Sequence, residues 1–287
     1  KLQSNVMSDI KSPKKTMLSR WRELWGSWEG RGLLLSVLLP AIYYTVMVPV
    51  KITFGDGPEL LMSVMHMGVI HTSGYPLYTL LGWPFVHLPG PSAHWNLVFF
   101  LSTVPTVVTC GVMYAILRRL GVKIAMAVPV VYLFAFNPTV LPLATRIEVY
   151  ALHAMLLSLS MYSLLRFHQS PQRMLWARMA ALWLGLALCD HLTSVFWFPA
   201  LAVGLVLINW RQVLKVKELA ILFAIGLLCG CLYFYLPLTS IIHDPGDTVL
   251  WNEPNTWERD DGPTVPCEPD TPHGTLGVPW IRGGDTN

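Results

Sequence analysis

Phe54-Gly55-Asp56-Gly57-Pro58-Glu59-Leu60, followed at His71-Thr72-Ser73-Gly74-Tyr75-Pro76-Leu77-Tyr78, is the stretch on which the reading of this chain turns. It lies just beyond the first long apolar run and carries Asp56, Glu59, His66 and His71. Carboxylates and imidazoles are costly at the edge of a membrane, so the grouping points to a site before it points to packing. Pro58 suits the first turn of a helix. Leu60, Leu61, Val64, Met67 and Gly68 then recur at about helical spacing, which predicts a helix lying in the membrane interface. Tyr75 to Leu88 is apolar as well, but Pro76, Pro84 and Pro89 interrupt it and it is short for a span. It reads as a second interfacial helix.

The rest of the chain supports a membrane setting. Of 287 residues, 53% are hydrophobic and 13% charged, against about 25% charged in a soluble domain. A formal charge of +3 without a single basic face excludes nucleic acid as a partner. Of the five cysteines, Cys110, Cys189, Cys229 and Cys231 sit in apolar stretches and Cys267 in the polar tail. The two-residue offset of Cys229 and Cys231 suits neither a zinc ribbon nor a redox pair. No Walker A, dinucleotide, nucleophile-elbow or zinc-protease motif occurs.

Residues 1–32 hold seven Lys and Arg interleaved with Trp21, Trp25 and Trp28, a composition suited to the cytoplasmic membrane surface. Leu33 to Val50 is an uncharged run long enough to span, and reads as an uncleaved anchor. Further spans are predicted at Asn96 to Leu117, Ile124 to Leu143, Tyr150 to about Leu165, Met179 to Leu188, Leu192 to Ile208 and Leu219 to Leu238. The fifth is short, unless it begins nearer Leu175 with Arg178 snorkelling. With the N-terminus inside, only Lys51, Arg146, Arg259 and Arg282 of the twenty Lys and Arg fall outside. The positive-inside rule is met at every inner connection. The expectation is an all-α polytopic membrane protein of about seven spans: an N-terminal segment 1–32, a transmembrane domain 33–238, and an irregular outer tail 239–287.

This topology brings Asp56, Glu59, His71, Arg146, Glu148, Asp190 and His191 to the outer ends of spans or to outer loops. Carboxylates there can take a proton from an incoming hydroxyl, and an arginine can neutralise phosphate. Plainer readings stand beside these. Asp56 and Glu59 also suit a helix cap and a first-turn acid, and Arg146 and Glu148 a structural ion pair. His66 and His153 read as packed or interfacial histidines, and Met62, Met65 and Met67 as a packing face. Asp190-His191, flanked by apolar runs on both sides, reads as functional.

The two halves of the opening stretch, then Arg146-Ile147-Glu148-Val149-Tyr150, Asp190-His191-Leu192-Thr193 and Tyr233-Phe234-Tyr235-Leu236-Pro237, resemble in order the motifs of a known family. It is the family of transmembrane protein 260-like O-mannosyltransferases, catalogued as domain of unknown function 2723. The resemblance covers about Leu33 to Trp257. It implies the glycosyltransferase C fold, with interfacial helices and a catalytic acid in a large first outer loop, and a polyprenyl-phosphate sugar as donor. It maps that acid onto Asp56, with Glu59 as its partner. His71, Tyr75, Arg146, Glu148, Asp190 and His191 become candidates for holding donor and acceptor. The family pattern has two prolines after the motif histidine, where this chain has Thr72-Ser73, and Ser-Gly before the glutamate, where it has Gly57-Pro58. From Arg259 the likeness stops, so the tail reads as a truncated or frame-disturbed end.

The expected function is therefore transfer of a sugar to an acceptor hydroxyl, on a protein or glycan, at the outer face of a bacterial inner membrane or of the endoplasmic reticulum. No cofactor is implied beyond the lipid-linked donor. The pattern assigns no metal site, although two carboxylates three residues apart leave a divalent ion open. The alternatives are a non-catalytic lipid-binding subunit and a secondary transporter; against the latter, the polar residues gather at one face and no internal repeat is evident.

Overall fold

The computed structural model describes residues 27–51, 56–69 and 74–242, and over these it is all-helical. His71, Thr72-Ser73, the segment before Ser27 and the tail from His243, with Cys267, lie outside the described residues. Helix α1 (Trp28–Met47) starts at Ser27, whose hydroxyl accepts the Gly30 N–H at 3.1 Å. Helix α2 (Gly57–His66) has Pro58 in its first turn and ends on Met67 in the left-handed region. It buries Leu60, Leu61 and Val64 while Met62, Met65 and His66 face outward, so the Met-rich side is an outer surface. Helix α3 (Pro76–Val86) follows, and Gly82 lets it approach closely: a Cβ there would meet Val64 and Leu97 at 2.8 and 2.9 Å.

Helix α4 (Ala93–Arg119) is capped by Ser92 and contains a π turn at Phe99–Thr103. Next come α5 (Ile124–Ala135), α6 (Val140–Thr145), α7 (Tyr150–Gln169) and α8 (Met174–Asp190). Helix α9 (Leu192–Val213) opens with a 3₁₀ turn; α10 (Val216–Gly230) continues through another into α11 (Tyr235–Ile242).

Helix α7 packs along both α4 and α8, and α8 packs against α10. The largest core joins α2, α3 and α4 to the 146–149 loop, the N-terminal half of α7 and the C-terminal half of α8 through Leu61, Val64, Tyr78, Leu97, Ile147 and Leu152. Polar side chains satisfy backbone groups between helices. Tyr44 donates to the Ala135 carbonyl (2.5 Å), Thr103 to Ala144 (2.8 Å) and Ser160 to Ala180 (2.8 Å). Tyr235 donates to Gly68 (2.8 Å) and Tyr233 to Leu188 (2.9 Å), so the tyrosines that follow α10 pin the loop after α2 and the end of α8.

Among the described residues, four helical stretches are long and apolar enough to cross a membrane: Trp28–Met47, Ala93–Arg119, Leu192–Val213 and Val216–Thr239. This is fewer than the seven expected. Most of the expected spans have somewhat different bounds, and two of the differences have a clear physical cause. Ile124 to Leu143 is not one helix, because Asn137 precedes Pro138, a position that disfavours helical backbone, and Asn137 turns its side chain back to the Thr139 N–H at 2.8 Å. The helix at the fifth expected span starts at Met174, next to the earlier of the two expected starts, Leu175. Its Arg178 is held between helices by Glu218, with nitrogen–oxygen distances of 3.0 and 2.8 Å, instead of snorkelling to the surface.

Candidate functional site

Four segments meet beside the start of α7 and the end of α8: the start of α2, the entry to α3, the loop between α6 and α7, and the α8–α9 junction. The 146–149 loop arrives there through simple alternation. Ile147 and Val149 are buried in the core, while Arg146 and Tyr150 are exposed and Glu148 is half-buried on the other side. Among the described residues no ion pair joins Arg146 to Glu148, contrary to the structural bridge their spacing suggested.

Asp56 is exposed and precedes α2; its carbonyl accepts the Leu60 N–H at 2.9 Å, but its carboxylate makes no capping bond. Glu59 is half-buried in the first turn, where the helix dipole favours negative charge. Glu148 is the carboxylate from another element that feels Asp56. Burial and the Asp56 charge push the Glu148 carboxyl above its usual range, partly offset by Arg146.

His191 lies at the centre of a ring cluster. Tyr75 stacks on it with centroids 5.7 Å apart, and Tyr150 and His153 each approach to 5.3 Å. The Thr193 N–H points to His191 Nδ1 at 3.3 Å, with the Thr193 hydroxyl at 2.8 Å. A ring that accepts at Nδ1 carries its proton on Nε2 when neutral, and burial lowers the pKa of this imidazole. Tyr75 reaches His191 through strained backbone. Gly74 has φ +73 and Tyr75 φ +37, a left-handed pair that only the first of them adopts without cost.

Beneath His191 the polar groups are enclosed. Asp190 is fully buried, and its Oδ2 lies 3.9 Å from His153 Nδ1, beyond hydrogen-bonding distance. Neither Asp190 oxygen, nor His153 Nδ1, nor the buried hydroxyls of Tyr78 and Ser194, has a hydrogen-bond partner among the described residues. Such a group of orphaned atoms is costly without an occupant such as water or a polar ligand.

The structure thus brings together Asp56, Glu148, Tyr75, Asp190 and His191 from the sequence expectation, with Arg146 at the rim; His71 lies outside the described residues. His153, read as a packed histidine, is largely buried and also borders the His191 ring; Tyr78, Tyr150 and Ser194 were not singled out as site residues from the sequence. The i, i+3 step from Tyr150 to His153 put both on one helix face, and that was the available signal. Among the described residues no group of three His, Cys, Asp or Glu side chains is placed to hold a metal ion.

Comparison with known proteins agrees with the motif reading. The family profile of the protein O-mannosyl-transferase TMEM260 N-terminal domain matches residues 56–214, more than half of the chain. Protein O-mannosyl-transferase TMEM260 of Mus musculus is 28% identical over 232 residues, covering 76% of this chain and 32% of that protein. The Dictyostelium discoideum protein of the same name is 26% identical over 136 residues, 45% of this chain and 16% of that one. The chain therefore spans about a third or less of the length of the curated relatives it matches. No solved structure matches it. With more than half of its length matched to that profile, starting at Asp56 itself, the chain belongs to the TMEM260 N-terminal domain family.

Proposed function

We propose that this chain is the membrane part of a glycosyltransferase that moves mannose from a polyprenyl-phosphate donor to a hydroxyl of a protein acceptor at the outer face. The observation that carries this reading is the gathering of Asp56, Glu148, Tyr75 and His191 at one end of the bundle, in a chain whose curated relatives are named protein O-mannosyl-transferases. In this reading α1, α4, α5–α6, α7, α8, α9 and α10–α11 are seven spans in a glycosyltransferase C-type layout. Helices α2 and α3 lie in the interface and the N-terminus is cytoplasmic.

Asp56 is the base, with Glu59 as its neighbour. It takes the proton of the acceptor hydroxyl as that oxygen attacks the anomeric carbon. The carbon–oxygen bond to the lipid phosphate breaks, the phosphate leaves with the electron pair, and the anomeric centre inverts. Arg146 offsets charge growing on the phosphate. Tyr75, Tyr150 and His191 form an aromatic wall suited to a sugar ring, and His71 and Asp190 complete the donor and acceptor contacts. Two carboxylates in unequal settings, Asp56 exposed and Glu148 half-buried, suit a division of acid and base roles.

Membranes carrying the chain, supplied with labelled mannose on a polyprenyl phosphate or on a nucleotide, test the donor. Transfer from the lipid donor alone, with inversion, is the expected result. Transfer from the nucleotide sugar alone overturns the donor assignment, and lipid binding without transfer replaces the enzyme with a lipid-binding subunit.

A further inference from the structure

The opposite end of the bundle holds a second polar feature that the reaction does not use. Arg166 lies sixteen residues along α7 from Tyr150, about 24 Å at the helical rise. There α1, α4 and α7 line a widely open cavity of about 530 Å³, bordered by Glu29, Tyr114, Arg118, Arg119, Tyr162 and Gln169. Two of its charges cancel: Arg118 binds the Glu29 carboxylate through both Nε, at 2.9 Å, and Nη2.

The remaining cations do not cancel. Arg119 Nε donates to the Tyr162 hydroxyl at 3.1 Å and its Nη1 to Gln169 Oε1 at 3.0 Å. Arg166, beside the cavity, donates to the same Tyr162 oxygen at 3.2 Å while its guanidinium lies 4.3 Å over the Trp176 ring. Two guanidiniums therefore converge on one neutral oxygen, and among the described residues no carboxylate pairs with either. Like charges so placed repel, and an anion between them relieves the repulsion. Planar guanidinium forks match phosphate oxygens. The level is right for a headgroup too, since Trp28 and Trp176 share this end with Arg173 and Arg178, as belts at a membrane interface do.

We infer that this cavity binds the phosphate-bearing headgroup of an anionic membrane lipid, gripped by Arg119 and Arg166 across Tyr162. The site is independent of the chemistry at the other end, and it would sit in the leaflet where basic pockets between helices meet anionic lipid. The test is the melting temperature of the full chain in detergent, titrated with phosphatidylserine, phosphatidylcholine or inorganic phosphate. A saturable rise with phosphatidylserine, absent with phosphatidylcholine, is expected. In R119Q/R166Q the half-saturating concentration should rise about 30-fold, taking the usual contribution of a basic residue near an anionic surface. R119K/R166K, which keeps charge without the fork, should fall between the two. Should the double variant not fold, R119Q alone carries the test, with about a fivefold loss expected. R173Q/R211Q removes equal charge from the same end outside the cavity and should raise the half-saturating concentration clearly less than R119Q/R166Q. An equal loss in that control, no loss in R119Q/R166Q, or an equal rise with phosphatidylcholine overturns the site. An equal rise with inorganic phosphate overturns the lipid as its source.

Discussion

At the scale of single residues, Glu148 shows how the site sets its own charge. Burial, then the Asp56 carboxylate, raise its pKa above the ordinary glutamate range. A carboxyl whose folded pKa is raised favours the folded state below its unfolded pKa, and that advantage is lost as pH rises through the folded value. Glu148→Gln should therefore stabilise the chain at neutral pH, by less than about 1 kcal/mol because the side chain is half exposed. The gain should vanish near about pH 4. Melting curves of the two proteins across that range check this; a gain in acid and none at neutrality contradicts it. Gly74 offers a second case. At φ +73 and against Leu236, a Cβ is both strained and crowded, so Gly74→Ala should cost about 1–2 kcal/mol or more. Part of the same cost should appear as a weaker Tyr75–His191 stack, read from the His191 ring proton shifts.

At the scale of elements, the order of helices was readable because each depends on local signals. Pro58 opens α2 as its place in the sequence suggested, whereas the Ser27 and Ser92 caps and the alternation through Arg146, Ile147, Glu148 and Val149 emerge in the structure. What pairs across helices was not readable. Arg178 reads from sequence as a charge that must snorkel; only the arrival of Glu218, forty residues later, makes it an interhelical bridge. His153 likewise became a site neighbour only because α8 ends beside it. Tyr235 is the clearest such link, since its hydroxyl carries α11 onto Gly68. Tyr235→Phe leaves that buried carbonyl unsatisfied and should cost about 1–3 kcal/mol. Differential unfolding of wild type and variant measures it, and an unchanged midpoint would show the bond to be idle.

At the scale of the whole molecule, charge separates the two ends of the bundle. One gathers Arg118, Arg119, Arg166, Arg173, Arg178 and Lys215; the other gathers carboxylates, imidazoles and tyrosines. Single cysteines at Lys51 and Lys123 should accordingly label from opposite sides of the membrane, Lys51→Cys from outside and Lys123→Cys only after permeabilisation. Labelling of both from one side breaks the seven-span topology. The composition points to a membrane, while the proposed number of crossings rests on this charge asymmetry, since among the described residues four helical stretches are apolar and long enough on their own. In the proposed reaction the acid before α2 drives transfer, and Asp56→Asn is the substitution that probes it. The substitution keeps shape and removes the base, so transfer of labelled mannose from a polyprenyl phosphate should fall about 10²–10⁴-fold, with donor binding retained. Transfer at the wild-type rate by Asp56→Asn would contradict the account.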